Sequence, residues 1–454
     1  MQLINLIKRI TKENNFLSLA SNGLVAGFGV LGIIILTRSL SKDSFGEWIL
    51  FLTGTSFIEM FRFGITKIAI IRFLSGTKDD ERKKLIGSNW LIGLSATLII
   101  VVIVWGLQLI FTEQIDQSGF SLFFIWYPIL SIVNLPFNNA LTILQADQKF
   151  DKMLFLSSFN TGGFIVFLTI NYFFFHYGIT TIVIAHLSVN LITSIICMIS
   201  KWDGISYFFH ANKTTNKLIL NFGKYTTGTL IGSNLLKSSD HVIIGLSPFL
   251  GTAGVALFSI PLKLIELIEV PLRSFVATAF PKISKASLEN DTEEVKKLFY
   301  TYSGAVTFLV FGIVIVCFIF AEQLVVILGG DEYLEAANIF RVFLIYGLLI
   351  SIDKFTGVTL DSINKPRQNF YKVVYMAIAN IIGDLIAVFV LHEIFPQWGV
   401  TTLLLWVATV TILTTLVGLF FGFRFLNKEI PIKIKNIFIS GWSFYRGLLK
   451  NFKF

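Results

Sequence analysis

The chain has 454 residues, 54% hydrophobic and only 14% charged, with a mean hydropathy of +0.74. A water-soluble domain of this length solvates its surface with far more charge, so the composition excludes that class and points to a protein that lives in the bilayer. The formal charge of +9 then reads as basic cytoplasmic loops rather than a nucleic-acid surface. Cys197 and Cys317 both lie in apolar runs, and no CxxC or Cys/His metal spacing occurs. They are expected to be packing or lipid-facing residues.

A hydrocarbon core about 30 Å thick needs roughly 20 residues of helix. Apolar runs of that length predict about twelve transmembrane helices, near 16–38, 45–73, 86–111, 119–145, 153–175, 179–200, 218–246, 252–281, 298–320, 333–362, 370–392 and 397–424. The first follows Lys8, Arg9 and Lys12 but lacks an A-x-A site, so it is expected to be retained rather than cleaved as a signal. Pro128, Pro136, Pro261 and Pro271 are candidate kinks, because each removes a backbone donor. After the twelfth helix, Ile430 to Phe454 interleaves Lys433, Lys435, Arg446, Lys450 and Lys453 with large apolar residues. That pattern suits either an amphipathic helix on the membrane surface or a plain basic tail.

Orientation follows from the loops. Basic residues cluster in alternate connections: Lys78/Arg82/Lys83/Lys84, Lys149/Lys152, Lys201/Lys213/Lys217, Lys282/Lys285/Lys296/Lys297 and Lys365/Arg367/Lys372. The intervening loops carry mostly Glu and Asp, such as Glu113, Asp116, Asp331 and Glu393. This asymmetry predicts that both termini lie in the cytoplasm and that the helix count is even. The membrane would be the cytoplasmic, or inner, membrane of a bacterium or archaeon.

The halves repeat one another. Tyr177-Gly178-Ile179-Thr180-Thr181 enters helix six and Trp398-Gly399-Val400-Thr401-Thr402 enters helix twelve. Gln148-Lys149-Phe150 precedes helix five and Asn364-Lys365-Pro366 precedes helix eleven, while Ser39-Leu40-Ser41 matches Gly245-Leu246-Ser247. All three pairs are offset by a little over 200 positions. The expected architecture is therefore all-α, with one six-helix bundle over 1–210, a second over 211–428 and a basic tail over 429–454. Six-helix repeats in one orientation recur in alternating-access transporters.

The chain also resembles a known family along its whole length. The features are Thr37-Arg38-Ser39-Leu40 with Phe45-Gly46, Leu144-Gln145-Ala146 before Lys149-Phe150, Asp240, Lys263-Leu264, Phe280-Pro281-Lys282-Ile283-Ser284, Asn364-Lys365-Pro366 and Gly399-Val400. They resemble the polysaccharide-exporter branch of the multidrug/oligosaccharidyl-lipid/polysaccharide transporter superfamily, in particular the O-antigen (Wzx-like) flippases. The resemblance implies a two-bundle fold. It also implies movement of an undecaprenyl-pyrophosphate-linked oligosaccharide from the inner to the outer leaflet for surface polysaccharide such as O-antigen, capsule or exopolysaccharide. A polysaccharide polymerase and other assembly proteins would be its partners.

Ionisable residues at bilayer depth cost roughly 2.5–3.5 kcal/mol each on insertion scales unless paired or wet, so each is a candidate. Lys263, Glu266, Glu269 and Arg273 share about a third of the circumference of helix eight at 3.6 residues per turn, with Ser259 on the same stripe. Glu59 and Arg62 form a shorter stripe in helix two. Arg341 is a further membrane cation, and Lys237 is placed to pair with Asp240. A pyrophosphate-sugar head group suits this chemistry: Lys or Arg holds phosphate and carboxylates hydrogen-bond hydroxyls. Lys263, Arg62, Glu266, Glu59, Arg273 and Arg341 are therefore the candidate substrate contacts. Lys263 stands where related flippases carry a basic cavity residue.

The resemblance further implies a cation site. Related lipid II flippases bind sodium through an Asp in helix seven, an Asn and Asp four apart in helix eleven, and a hydroxyl in helix twelve. The matching residues are Asp240, Asn380, Asp384 and Thr402, with Thr401 an alternative. The coupling ion would be Na+ or H+, and no other cofactor is expected; the same residues could equally be helix-packing hydrogen bonds. The alternatives are a multidrug or metabolite antiporter of the same superfamily, a polysaccharide polymerase or ligase, and a non-transporting scaffold. No outer loop is large enough for a catalytic site, and no nucleotide cradle, HExxH or nucleophile elbow occurs. The chain is therefore expected not to be an enzyme. His176, His186 and His392 are expected to pack.

Overall fold

The computed structural model describes residues 14–64, 66–74, 77 and 79–451. Lys8, Arg9, Lys12, Lys78 and Lys453 lie outside the described residues, as does the side chain of Lys237. Among the described residues every regular element is helical. The chain divides into two compact units, Met1–Ile231 and Gly232–Phe454.

The first unit contains α1 (Asn14–Ser39), α2 (Lys42–Gly64), the short α3 (Lys67–Leu74), α4 (Asp79–Ile110), the short α5 (Thr112–Gln117), α6 (Ser121–Val133), α7 (Leu135–Ala146), α8 (Phe150–Ile170) and α9 (Ile179–Ile199). A π turn, Asn171–Phe175, closes α8. α10 (Lys213–Gly245) carries the chain across the boundary. The second unit continues with α11 (Gly251–Leu288), α12 (Thr292–Ile319), the short α13 (Ala321–Gly329), α14 (Ala337–Ser362), α15 (Pro366–Leu385), the single turn α16 (Leu391–Ile394), α17 (Val400–Glu429) and α18 (Ile434–Asn451). Counting α2 with α3 and α6 with α7 as single spans, six spans precede Ile205–His210 and six follow it. The molecule is a polytopic all-α membrane protein of two six-helix bundles.

Two expected single helices are broken. The span read as 45–73 stops at Gly64 and restarts at Lys67. The span read as 119–145 bends by 50° between α6 and α7. Pro136 sits in the first turn of α7, where its missing N–H would be unpaired anyway. By contrast α11 runs from Gly251 to Leu288 straight through Pro261, Pro271 and Pro281. Among the described residues seven helices are long and apolar enough to cross a bilayer, and the bent pair makes an eighth. α2, α10 and α11 fall short of that test. They are the helices that carry Glu59/Arg62, Asp240 and the Lys263–Arg273 stripe.

Between the sixth and seventh spans, the Ile205–His210 turn is clamped onto α4. Trp90 Nε1 donates to the Asp203 carbonyl at 2.7 Å, and a side chain at Gly87 would run into the backbone of Tyr207 and Ala211. Nearby, Arg82 pairs with Asp147 at 2.8 Å. Burial pushes the Asp147 carboxyl up, but hydrogen bonds from Arg82 and Lys149 outweigh it and hold the group below its ordinary range.

The C-terminal segment is an ordered helix seated on α12. Tyr300 Oη accepts from the Lys433 N–H at 2.8 Å, and Tyr445 Oη donates to the Ala305 carbonyl at 3.0 Å. Gly304 and Gly441 face each other so closely that a Cβ on either would strike the other helix's backbone. Ile434, Phe438, Ile439 and Trp442 remain exposed on α18. Gly441→Leu is expected to lower stability by about 1–3 kcal/mol, the range for overpacking a closed contact. Gly447→Leu, which meets open space, serves as the control, and thermal unfolding in detergent reads both.

Candidate functional site

The α11 stripe forms as its spacing requires. Lys263 Nζ meets Glu266 Oε2 at 2.9 Å, with both side chains about half exposed on the unit. Arg273 approaches Glu269 at 3.9 Å, and Glu269 also accepts from Tyr346 Oη at 3.3 Å. Ser259 is buried and donates back to the Val255 carbonyl. Exposed ion pairs contribute about 0–1 kcal/mol, so these charges are weakly held. At bilayer depth an exposed row of charge cannot face acyl chains.

Glu59 and Arg62 lie elsewhere and are arranged differently. Arg62 is wholly buried inside the first unit. Its Nη2 meets Glu59 at 2.9 Å and donates to Asn134 Oδ1 at 2.5 Å, and its Nη1 donates to the Ser131 carbonyl and, at 3.4 Å, to Thr97. Glu59 also accepts from Tyr127 Oη at 3.0 Å. Three helices, α2, α4 and α6, and the α6–α7 bend thus close on one guanidinium. In this state Arg62 has no face open to a ligand. Arg341 lies near the start of α14 and is spent on Glu322 and Asn338, at 2.9 and 2.8 Å.

Inside the second unit is a cavity of about 360 Å³, walled by α10, α11, α14, α15 and α17. One wall is the buried pair Lys372–Asp353. Lys372 Nζ donates to Asp353 Oδ1 at 2.9 Å, to the Asp353 carbonyl at 3.1 Å and to Thr356 Oγ1 at 3.2 Å, so its three protons are all used. The sequence pattern put Lys372 in a cytoplasmic loop; the structure makes it an interior residue at 3% exposure. Two glycines on α17 make room. A Cβ at Gly418 would crowd Asp353 Oδ1, and one at Gly422 would crowd Thr356 and Lys372.

Deeper in the cavity the expected acid cluster assembles. Asn380 Nδ2 donates to Asp240 Oδ1 at 2.6 Å and Asp384 Oδ2 at 2.8 Å, and lies 3.2 Å from Ser239 Oγ. Asp240 and Asp384 are at 4% and 0% exposure. Thr402 does not join them. It opens α17, twelve residues before Thr414 and so about 18 Å away along the axis, while neighbouring Thr401 donates to Glu335. The hydroxyl at this level is Thr414, whose Oγ1, like Asp384 Oδ1, is buried with no hydrogen-bond partner among the described residues. No group of three or more His, Cys, Asp or Glu poised for a metal occurs among the described residues. The cluster's ligand set would be two carboxylates, an amide and a hydroxyl. His241, which meets Ser259 at 3.2 Å, lines the same cavity; nothing in its sequence spacing marked it. His186 packs edge-on against Trp48, Phe51 and Phe164.

Two compact units, each with six membrane spans and each carrying charge at bilayer depth, define a two-bundle all-α membrane protein. The chain belongs to the polysaccharide biosynthesis protein family, whose model matches residues 35–338. An inward-facing multidrug resistance MATE transporter of the MOP superfamily superposes with a TM-score of 0.70 at 14% identity, over 90% of this chain and 95% of that one. The lipid II flippase MurJ, in an inward closed conformation, gives 0.70 at 14% identity, over 96% and 93%. These likenesses concern the fold. A probable low-salt glycan biosynthesis flippase of Haloferax volcanii, Agl15, is 21% identical over 170 residues. That match spans 37% of this chain and 36% of the relative.

Removing one partner of a buried ion pair leaves an uncompensated charge and costs about 3–5 kcal/mol. Lys372→Met is expected to destabilise the second unit by that order, and adding Asp353→Asn should recover part of the loss. Thermal melts of the single and double variants check this.

Proposed function

We propose that this protein is a flippase that moves undecaprenyl-pyrophosphate-linked oligosaccharide from the inner to the outer leaflet by alternating access, for assembly of surface polysaccharide such as O-antigen, capsule or exopolysaccharide. The observation that carries this reading is the exposed α11 stripe. Lys263 and Arg273 offer charge-assisted contacts to phosphate, and Glu266 and Glu269 offer acceptors to sugar hydroxyls. Membership of a polysaccharide biosynthesis family and the name of the Haloferax relative support it. The work is transport and not catalysis: the substrate leaves with its bonds unchanged. Both termini would face the cytoplasm, and a polymerase would receive the product on the outer side.

A specific observation favours a cation as a second ligand. The cavity of the second unit is lined by five carboxylates, Asp240, Glu266, Glu269, Asp353 and Asp361, against two lysines, Lys354 and Lys372. In a cation antiporter of the same superfamily that charge would hold the cargo. In the flippase it holds the coupling ion, Na+ or H+, among Asp240, Asn380, Asp384 and Thr414. A cation biases alternating access only if its affinity differs between the two states.

Proteoliposomes carrying a fluorescent undecaprenyl-pyrophosphate-linked oligosaccharide separate the two. Dithionite quenching reads how fast the lipid changes leaflet, and a cationic dye in the lumen reads antiport. The flippase reading expects lipid movement, an at least tenfold loss in Lys263→Glu with normal protein abundance, and retention in Lys263→Arg. Dye movement without lipid movement establishes the antiporter instead.

A further inference from the structure

We infer that Lys354 is an anion-holding residue that receives a phosphoryl group inside the second unit, in the cavity whose other end is the Asp240–Asn380–Asp384 cluster. The inference rests on the flippase reading for the source of that phosphate, and on the cavity's charge pattern for the site itself.

Lys354 is well inside the membrane span. α11 and α14 run side by side in one register: Gly347 lies against Ile265, and Ser362 Oγ reaches the Phe280 carbonyl, the same offset fifteen residues further on. Lys354 is therefore level with Leu272, about 14 Å beyond Lys263 along the axis at 1.5 Å per residue. Its neighbour Asp353 is turned about 100° away and buried against Lys372, so it is not available to neutralise Lys354.

The remaining carboxylates of the cavity are also engaged. Glu266 pairs with Lys263, Glu269 is held by Tyr346 and approached by Arg273, and Asp361 accepts from Asn369 Nδ2 at 2.9 Å. Lys354 lines the cavity, is exposed, and has no ion pair or hydrogen bond among the described residues. Among the described residues it is the cavity cation left over, while Asp240, Asp384 and Asp361 meet amide nitrogens and no cation.

The cavity is thus divided. On α15, Lys372, Met376 and Asn380 follow one another at four-residue intervals along its wall, so its ends are about 12 Å apart. An unpaired lysine at this depth must meet water or an anion, and a phosphoryl oxygen gives an ammonium a strong charge-assisted hydrogen bond. With a cation at one end and a phosphate at the other, each offsets the other's charge. By linkage each ligand then raises the other's affinity by the same factor.

The test is calorimetric titration of the purified full-length protein with inorganic pyrophosphate and, separately, with farnesyl diphosphate, each with and without sodium. The inference expects diphosphate binding in wild type, about tenfold weaker in Lys354→Gln, the size of one charge-assisted hydrogen bond. Binding should be retained in Lys354→Arg, and sodium should strengthen it in wild type but not in Lys354→Gln. Binding of farnesyl diphosphate much tighter than of pyrophosphate assigns the site to a lipid head group; equal binding assigns it to a free anion; both support the anion site. Melting curves exclude misfolding as the cause of any loss, and if Lys354→Gln does not fold, weak binding in Lys354→Arg or none in wild type overturns the inference. Wild-type affinity in a folded Lys354→Gln also overturns it and leaves the flippase reading standing, because that reading is judged separately by leaflet exchange.

Discussion

A charge inside a bilayer must be paired, hydrated or neutralised, and that constraint sorts the ionisable residues described within the spans. Arg62 is paired through both terminal nitrogens: its guanidinium meets a carboxylate, an amide oxygen, a carbonyl and a hydroxyl drawn from α2, α4, α6 and the bend after α6. Lys372 is spent in the same way on Asp353 and Thr356. These knots fix helices in place. Removing water from both partners costs nearly as much as their attraction returns, so their value is in the specificity of packing rather than in net stability. The α11 pair Lys263–Glu266 instead stays about half exposed on its unit, and the buried Asp240 and Asp384 share the Asn380 amide.

Much of the fold was legible because the bilayer imposes a single length on every span. Runs of apolar residues located the helices. The breaks were not legible. Gly64 and Thr66 look like ordinary residues of one long helix, and the bend at Asn134 depends on Pro136 starting a new helix, whereas Pro261 and Pro271 in the same kind of run do not interrupt theirs. Local sequence identifies a missing donor; only the neighbouring helices decide whether the backbone bends there.

The site was legible where a single helix sets the geometry. Spacings of three and four put Lys263 beside Glu266 and Asn380 beside Asp384. The resemblance brought Asp240 to them from a distant helix. Spacing failed where contacts are tertiary. Lys372 is seven residues from a loop lysine, Lys365, and reads as its neighbour until Gly418 and Gly422 reveal the room α17 leaves for it. Thr402 stands in the first turn of the last span, but α17 runs antiparallel to α15, with Gly383 against Val410 and Met376 against Gly418, so the hydroxyl level with Asn380 comes a little over three turns later, at Thr414.

The central claim is that cations at bilayer depth divide into those consumed by the fold and those open to a ligand. Native lysines report this without substitution. Intact protein in membranes, treated with a small water-soluble amine reagent and digested for mass spectrometry, gives the labelling rate at each lysine. Fast labelling of Lys263 and Lys354 with Lys372 unlabelled until the protein unfolds is the predicted result. Labelling of Lys372 at the rate of Lys263, or protection of Lys263 and Lys354 in ligand-free protein, would contradict it.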